Sequence, residues 1–372
     1  MNFAFTEEQE MLRSSVAGFL DAKVPMTRVR ELMESDPGYD RAIWAEMAGL
    51  GLPAMHIPEE YGGAGFTQLE LGVVLEEAGR RLTPSPLFAT VVLGANLLLL
   101  AGSEEQKQGR LPGVAAGERT LAVAVVDQGG GWDPDSITTT ARPEGGGVVL
   151  DGVKSYVVDG HTADVVIAAA KDEAGELGFY LVEGDAAGVT RELLVTLDMT
   201  RKQAVVRLDG VEVGPEAKLE RGGAEVLADL YDLAAVGLAF EAVGGAAKCM
   251  EMSVAYAKAR IQFGRPIGSF QAVKHACADM LVAVESSRSA AYYAGWAASA
   301  DDPELRIAAP LAKAYCADAY FQVAAATIQV HGGIGFTWEH DAHLYFKRAK
   351  TSQLMLGDSA AWRAKLADRI GL

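Results

Sequence analysis

The chain has 372 residues, of which half are hydrophobic and 22% are charged, a composition typical of a folded protein with a sizeable core. Lysine and arginine number 33, aspartate and glutamate 50, so the formal net charge is −17. Nucleic-acid binding depends on basic surface, and this balance argues against it. An anionic small-molecule ligand is compatible with the composition where basic side chains gather locally.

The cysteines and the N-terminus indicate the compartment. Cys249, Cys277 and Cys316 form no C-x-x-C pair, and we interpret them as reduced core residues of helices in a cytoplasmic protein. The acidic start MNFAFTEEQEML lacks the basic region of a signal peptide, and Thr6 with Gln9 predicts a capping box at the start of a helix. We predict no metal site.

Residues 1–118 carry helical patterns separated by turn formers. Residues 43–52 predict a helix that ends at Gly49–Gly51, and HIPEEYGGAG at 56–65 predicts a loop. The most apolar stretch, 87–101, is short for a membrane span and predicts a buried helix. We predict an N-terminal helical domain and no membrane association.

From residue 119 to residue 222 the pattern is that of β-strands. Apolar runs such as LAVAVVD at 121–127 and ADVVIAAA at 163–170 alternate with turn residues. Asp151-Gly152 lies between two apolar runs and predicts a hairpin turn. We predict a small, barrel-like β-sheet domain over 119–222.

From 223 to 372 the chain returns to long, alanine-rich helices with few breakers, which predicts a four-helix bundle. The main interruptions are GRPIGS at 264–269 and HGGIG at 331–335. The predicted fold class is therefore α+β, mainly α. An N-terminal helical domain, a middle small β-sheet domain and a C-terminal four-helix bundle follow one another.

The segment RIQFGRPIGSFQ, residues 260–271, places Arg260, Gln262 and Phe263 at the predicted end of a helix. A guanidinium group offers paired donors to a phosphate, and an aromatic ring offers a face to a nucleobase. The same residues fit a capped turn between helices whose arginine faces water. The segment alone leaves both interpretations open.

The segment QVHGGIGF, residues 329–336, has three glycines within four positions. Such glycines expose backbone N–H groups and allow a ligand or another backbone to come close. A predicted helix precedes them, which is unlike the strand–turn–helix of dinucleotide-binding domains. Combined with the corner about sixty residues earlier in the same predicted bundle, the glycines indicate a binding site.

Together the two segments resemble the signature segments of the acyl-CoA dehydrogenase family. The resemblance covers nearly the whole chain, since PEEYGG at 58–63 lies in the helical N-terminal region and the β region and bundle follow in the family's order. It implies the fold of that family and its cofactor, FAD. In the family, FAD lies in a cleft between the β domain and the bundle, and the bundle of a second subunit completes the site.

The resemblance also implies which residues meet FAD. Arg260, Gln262 and Phe263 match positions on the pyrophosphate and adenine side. The positions that match the part of the pocket closed across a dimer interface are Gln271, Gln329, Val330, Gly332 and Gly333.

The family's reaction is the α,β-dehydrogenation of an acyl-CoA thioester, a step of lipid metabolism and fatty acid β-oxidation. A carboxylate removes the α-proton while the β-hydrogen leaves as hydride to the flavin, and hydrogen-bond donors hold the thioester carbonyl. The resemblance further implies an electron-transfer flavoprotein, or a similar acceptor, as partner.

The usual base of the family is absent from this sequence. In most members it is a glutamate in a Y-E-G-T motif about twenty-seven residues after the glutamine of the glycine segment. A gapless count from Gln329 arrives at Leu356 in QLMLGD. Leu356 cannot accept a proton, and Asp358, two positions later, need not point the same way.

Glu241 is the candidate base. Some members carry their base on the first long helix of the bundle, at a position that matches Ala234. Glu241 projects from nearly the same face, about 10 Å further along that helix. Small neighbours such as Gly244 and Gly245 predict a groove for a flat ligand, and apolar surroundings tune carboxylates for proton transfer. Alternatively, Glu241 is paired with a basic residue across the bundle or faces an open cavity.

The β region departs from the family as well. The usual T-E-P-G-x-G-S-D-like loop is replaced by VVDQGGGWDPDS at 125–136, and the K-x-W-I-T-like strand by Lys154-Ser-Tyr-Val-Val. Tyr156 is placed to stack near the flavin. Val158, where a hydroxyl residue would bond the ring, offers only backbone groups. These departures predict firmer binding of the adenine half of FAD than of the isoalloxazine half.

Two hypotheses follow. The chain is either a complete flavoenzyme, as a homodimer or homotetramer with Glu241 as base, or one subunit of a heterotetramer whose paralogous partner completes the site. The second includes a non-catalytic subunit, and the resemblance links such assemblies to steroid-like or bulky acyl-CoA. Lys347, Arg348 and Lys350 are candidates for CoA phosphates, with a solvated helix face as the alternative.

Overall fold

The computed structural model describes residues 6–372, and its contacts divide the chain into two compact units. The helical unit comprises Met1–Arg30, Gln68–Thr83 and Ala235–Leu372, and the mixed unit comprises Glu31–Thr67 and Pro84–Ala234. Residues 1–5, the first part of the stretch used to argue against a signal peptide, lie outside the described residues. The boundaries at 118 and 222 stay predictions, since each unit gathers segments that are distant in sequence.

The helices have the following bounds. They are, in chain order, α1 (Glu7–Lys23), α2 (Met26–Glu34), α3 (Arg41–Gly49), α4 (Gln68–Arg80), α5 (Asn96–Ala101), α6 (Glu104–Ala115), α7 (Gly223–Ala259), α8 (Gln271–Ser299), α9 (Leu305–His331), α10 (Ala342–Leu354) and α11 (Ser359–Arg369).

The strands form one large sheet and one small ribbon. They are β1 (Leu121–Ala124), β2 (Thr140–Glu144), β3 (Gly147–Val158), β4 (Val165–Lys171), β5 (Leu177–Glu183), β6 (Val189–Leu193), β7 (Gln203–Val213), β8 (Ile261–Gln262) and β9 (Arg265–Pro266). The sheet has the order β1-β4-β2-β3-β7-β6, and β5 pairs with β4. The predicted fold class, helices followed by a curled sheet and then a helical bundle, is confirmed.

Local sequence signals explain where several helices begin and end. The hydroxyl of Thr6 accepts a hydrogen bond from the backbone N–H of Gln9, whose side chain accepts from the backbone of Thr6, so the predicted capping box is confirmed. Helix α3 is capped by Asp40 and ends at Gly49, as predicted. Among residues 6–372, no helix is both long and apolar enough to cross a membrane.

The apolar stretch at 87–101 is helical and buried, as predicted, but its first part has a wider winding. Phe88–Ala95 forms a π-helical segment that continues directly into α5. Thr90 accepts from the backbone N–H of Leu121, at the start of β1, at 3.1 Å. This bond ties the segment to the sheet within the mixed unit.

The hairpin turn predicted at Asp151-Gly152 is wrong. Both residues lie inside β3, at a point where its ladder with β7 shifts register, as at a β-bulge. A side chain at residue 152 would overlap Thr139, which explains the glycine. The turn instead lies at Gly145-Gly146, where both residues have positive φ, as tight hairpin turns require.

In the helical unit, α9 packs against α8, α10 and α11, while α4 packs against α1 and α8. The ring of Phe240 lies where Gly72 of α4 and Gly295 of α8 leave room, and it meets Tyr292 edge-on with centroids 4.9 Å apart. Small residues therefore allow the helices of this unit to approach closely.

All three cysteines are free, and each lies on a helix, as predicted. Cys249 and Cys316 are buried, and burial raises the pKa of both thiols, that of Cys316 to about 12. Cys277 is half-buried, so its prediction as a core residue is wrong.

Candidate active site

Glu241 is buried in α7 and is paired with Arg348 of α10. Oε1 of Glu241 accepts from Nη1 of Arg348 at 2.9 Å, and the two side chains are only 7% and 2% exposed. The arginine supplies a positive charge that offsets the buried carboxylate. The contact is the pairing considered above as the alternative for Glu241, and its role as base stays a prediction. Neither interpretation of Arg348, a CoA contact or a solvated helix face, fits its burial.

The groove predicted beside Glu241 is filled by neighbouring helices. A methyl group on Gly244 would overlap the carbonyl oxygen of Glu76 in α4, and one on Gly245 would overlap the ring of Tyr320 in α9. The small residues serve close helix packing, so the prediction that they admit a flat ligand is wrong.

Leu356, at the position where the usual base is expected, has its side chain buried and a left-handed backbone with φ 62°. Its carbonyl accepts from Nε1 of Trp362 at 3.0 Å. The carboxylate of Asp358 accepts from the backbone N–H of Ala361 at 2.9 Å and caps α11. Neither residue offers a base in this arrangement.

A buried lysine donates hydrogen bonds to the turn between α10 and α11, which contains Leu356. Nζ of Lys313 donates to the carbonyls of Ser352 at 3.0 Å, Gln353 at 3.2 Å and Gly357 at 3.4 Å. Burial lowers the pKa of Lys313 to about 8. The turn between α10 and α11 is thus fixed by side chains that the sequence did not single out.

The corner after α7 is a two-residue hairpin between β8 and β9. Phe263 and Gly264 both have positive φ, 52° and 76°, and Phe263 is 91% exposed. A left-handed conformation is costly for phenylalanine and persists where the surroundings impose it, commonly at functional sites. The guanidinium of Arg265 lies over the ring of Phe270 at 4.2 Å and steadies the corner.

The end of α7, just before the first signature segment, contacts the second signature segment. Tyr256, four residues before Arg260, stacks on His331 with ring centroids 4.5 Å apart. Arg260 is exposed, and within residues 6–372 its guanidinium group has no ion-pair partner. An exposed arginine at this end is available to an anionic ligand.

The glycine segment after α9 leaves space above its backbone. Gly332 has φ 65° and ψ −141°, a conformation that favours glycine, and nothing lies within 4 Å of an added Cβ there or at Gly333. Gly335 is buried against the end of α9. The other predicted residues of this group are placed as follows: Gln329 and Gln271 are exposed, and Val330 is half-buried.

Tyr156 and Val158 lie in the mixed unit, on β3. The β3–β7 ladder shifts register between Lys154 and Val157, and Tyr156, with φ 57°, has 54% of its surface exposed. Val158 is 5% exposed and is paired with Gln203 of β7. The strand therefore presents the tyrosine ring, whereas the valine side chain belongs to the core.

Comparison with known proteins settles the family. The model of the acyl-CoA dehydrogenase N-terminal domain matches residues 6–118, and that of the C-terminal domain matches residues 221–371. The chain belongs to the acyl-CoA dehydrogenase family. Acyl-CoA dehydrogenase IpdE2 of Mycolicibacterium smegmatis is 36% identical over 353 residues, which are 95% of each protein.

Two solved structures are also similar. A chain of the ChsE4-ChsE5 complex from Mycobacterium tuberculosis is 31% identical with a TM-score of 0.91, over 100% of this chain and 99% of that one. Butyryl-CoA dehydrogenase from Megasphaera elsdenii is 25% identical with a TM-score of 0.93, over 100% of both chains. The predicted family and flavin-dependent enzyme class are confirmed.

FAD is the cofactor of acyl-CoA dehydrogenases, and the residues present fit it in part. The exposed guanidinium of Arg260 and the open backbone at Gly332-Gly333 suit an anionic pyrophosphate. Phe263 and Tyr156 each present an aromatic face. Val158 adds no side-chain donor. Among residues 6–372, no group of three or more histidine, cysteine or acidic side chains is arranged to hold a metal ion.

Proposed function

We propose that this chain takes part in FAD-dependent α,β-dehydrogenation of an acyl-CoA thioester as one subunit of a hetero-oligomer, in which a paralogous subunit supplies the carboxylate base. The observation that carries the proposal is that neither candidate position for the base, residue 356 or residue 241, offers a free carboxylate. Leu356 is apolar, and Glu241 is held in a buried ion pair with Arg348. The similar ChsE4-ChsE5 structure, described as a complex of two proteins, supports a paired assembly.

In this proposal, the residues of this chain bind FAD and orient it. Arg260 and the backbone at Gly332-Gly333 hold the pyrophosphate of FAD, and Phe263 offers its ring to the adenine. Tyr156 offers an aromatic face to the flavin ring. Bound FAD supplies the acceptor for the β-hydride, and an electron-transfer flavoprotein or similar acceptor is the expected oxidant of the reduced enzyme.

The identity of the acyl group is a question for a substrate panel. The groove predicted beside Glu241 is covered by α4 and Tyr320, so it gives no support for a roomy acyl site. A steroid-like or otherwise bulky acyl-CoA therefore rests on the family resemblance alone. A substrate panel should contain both linear and ring-bearing thioesters.

A complete homomeric enzyme with Glu241 as base is the second candidate. It is favoured by the burial of this carboxylate on α7, the helix that carries the base in some family members. Against it, Oε1 of this carboxylate is already engaged by the guanidinium of Arg348 at 2.9 Å.

The test removes both members of the buried ion pair. Glu241→Gln alone would take one charge from the pair and leave the other, so the informative variant is Glu241→Met combined with Arg348→Met, which keeps a similar volume and removes both charges of the pair. Turnover of acyl-CoA is measured for the chain alone and for the chain assembled with its paralogous partner, with FAD supplied. Under the proposal, the assembled double variant keeps most of its turnover.

A general base contributes about 10²–10⁴-fold to rate, so a loss of that size in the double variant would overturn the proposal in favour of Glu241 as base. The matched control is Glu77→Met with Arg81→Met, a partly buried pair between α4 and the residue that follows it, whose nitrogen and oxygen lie 2.5 Å apart. The control separates a general effect of removing an internal ion pair from a chemical one.

A further inference from the structure

A buried ion pair lies at the base of the loop between β1 and β2, in the mixed unit. Nζ of Lys154 lies 2.6 Å from Oδ1 of Asp127, and the two side chains are 0% and 3% exposed. The same Nζ donates to the carbonyl of Val125 at 3.1 Å. Lys154 belongs to β3, so the pair joins that strand to the start of the loop.

The carboxylate of Asp127 also holds the far end of the loop. It accepts from the backbone N–H of Thr139 at 2.8 Å, from the hydroxyl of Thr139 at 2.6 Å and from the backbone N–H of Thr138. Residues 128–137, which contain the three glycines and Trp132, lie between these anchors. One carboxylate therefore closes both ends of a mostly exposed loop.

Two backbone bonds fasten the loop to β3 on either side of the lysine. The N–H of Gln128 donates to the carbonyl of Val153 at 3.0 Å, and the N–H of Ser155 donates to the carbonyl of Val126 at 2.7 Å. Immediately beyond, the strand shifts register and turns Tyr156 outwards in a left-handed conformation. The lysine thus stands at the junction between the loop and the bend that presents the tyrosine.

Stability alone is a weak reason for such a pair. Two buried charges lose their hydration, and replacing a buried pair by apolar residues of similar volume is often neutral or stabilising. Burial also lowers the pKa of Lys154 to about 8, which shows that its charge is kept at a cost. An apolar contact does not fix the direction of hydrogen-bond donors. The carboxylate of this pair fixes several at once, from Thr138, Thr139 and Lys154.

We infer that Asp127 and Lys154 are positioning residues that set the 128–137 loop and Tyr156 as one face for the flavin ring of FAD. The inference rests on the FAD-dependent function proposed above. Neither residue touches the cofactor. Both act through the 128–137 loop and the bend of β3 at Tyr156. The face replaces the T-E-P-G-x-G-S-D-like loop and the hydroxyl donor that this sequence lacks.

The experiment compares Lys154→Met with Arg142→Met, which removes an exposed ion pair to Asp151 in the same sheet. Hydrogen exchange of residues 125–139 and 153–158 is measured without FAD, and FAD affinity and the visible circular dichroism of the bound flavin are measured in the assembly that binds it. We expect Lys154→Met to speed exchange in both segments and to weaken FAD about tenfold, the factor that corresponds to one hydrogen bond. Arg142→Met should change neither.

Asp127→Asn is the second variant, used if Lys154→Met does not fold, because it breaks the same ion pair from the other side and keeps an acceptor for Thr138 and Thr139. It should alter the flavin dichroism and weaken FAD in the same direction. Unchanged exchange in either variant that folds, or faster exchange with unaltered FAD affinity and dichroism, overturns the inference. Wild-type protein that binds no FAD, alone or with a partner, instead contradicts the proposed function, while the exchange data still decide whether the pair orders the loop.

Discussion

At the residue scale, the charge of Arg348 is tolerated inside the bundle because Glu241 lies 2.9 Å away. Glu241→Gln removes one charge from this buried ion pair, and breaking such a pair is costly, so we expect the free energy of unfolding to fall by about 3–5 kcal/mol. The combined Glu241→Met and Arg348→Met variant should recover most of that loss. Urea unfolding of the three proteins checks this, and equal losses in the single and double variants would contradict it.

Arg260 is the exposed cation at the end of α7, and an exposed guanidinium binds a pyrophosphate through paired hydrogen bonds. We expect Arg260→Ala to weaken FAD binding about tenfold or more, since one charge-assisted hydrogen bond is worth roughly 1.5–3 kcal/mol. Fluorescence titration with FAD measures the effect. Lys258→Ala, an exposed cation two residues earlier, is the control. Unchanged flavin affinity in Arg260→Ala would remove this arginine from the site.

Lys313 should make stability depend on pH in a defined direction. Burial lowers its pKa from 10.5 to about 8, so between these values the unfolded chain binds more protons than the folded one, and the contribution of Lys313 to stability rises with pH. Lys313→Met abolishes this titration. The unfolding free energy of the wild type minus that of the variant should therefore grow from pH 8 to pH 10.5 by a few kcal/mol. A difference that stays flat across the window would contradict the assignment.

Glu241 also shows what a sequence conveys about a site and what it omits. Its position in an apolar helix raised three possibilities, a base, a partner of a basic residue or a carboxylate facing a cavity, and the structure shows it buried in a pair with Arg348. Its partner could not be chosen from the sequence, since Arg348 lies in a basic run with Lys347 and Lys350 and only the packing of α10 turns it inwards.

At the element scale, α4 and α7 approach so closely that glycine is required between them. A methyl group on Gly244 would overlap the backbone carbonyl of Glu76, which cannot move without disturbing α4. We expect Gly244→Ala to lower the free energy of unfolding by about 1–3 kcal/mol. Gly18→Ala is the matched control, since its added methyl group meets nothing within 4 Å and should stabilise α1 by roughly 0.5–1 kcal/mol.

Thermal unfolding of the two alanine variants separates packing from helix propensity. Opposite shifts of the midpoint, downward for residue 244 and upward for residue 18, are expected. A stable Gly244→Ala protein would mean that α4 and α7 can move apart, which would contradict the requirement for glycine at this contact.

The hairpin error has a physical cause at the same scale. Asp-Gly is typical of tight turns, but glycine also occurs in strands where a neighbouring segment packs closely against the backbone. At Gly152 that neighbour is the side chain of Thr139. The true turn at Gly145-Gly146 carries no aspartate and lies within a run of three glycines. The residue types alone do not show which glycine forms a hairpin turn and which one allows close packing.

At the scale of the whole molecule, the order of helices, sheet and helices was predictable because each region keeps one hydrophobic period over many residues. The grouping into a helical unit and a mixed unit was not, because it depends on which distant segments pack together. Helix α4, for example, belongs with the C-terminal helices, and only its tertiary contacts show this.

The proposed assembly is tested by flavin content. Purified alone with FAD supplied, the chain should hold clearly less than one FAD, because it lacks a hydroxyl donor at Val158 and has an altered loop at 125–136. Co-purified with a paralogous subunit, the complex should retain FAD through gel filtration, and its visible spectrum should bleach when a competent acyl-CoA is added without external acceptor. One firmly held FAD per chain in the isolated protein, with bleaching by acyl-CoA that is lost in the Glu241→Met and Arg348→Met variant, would instead establish a complete homomeric enzyme with Glu241 as its base.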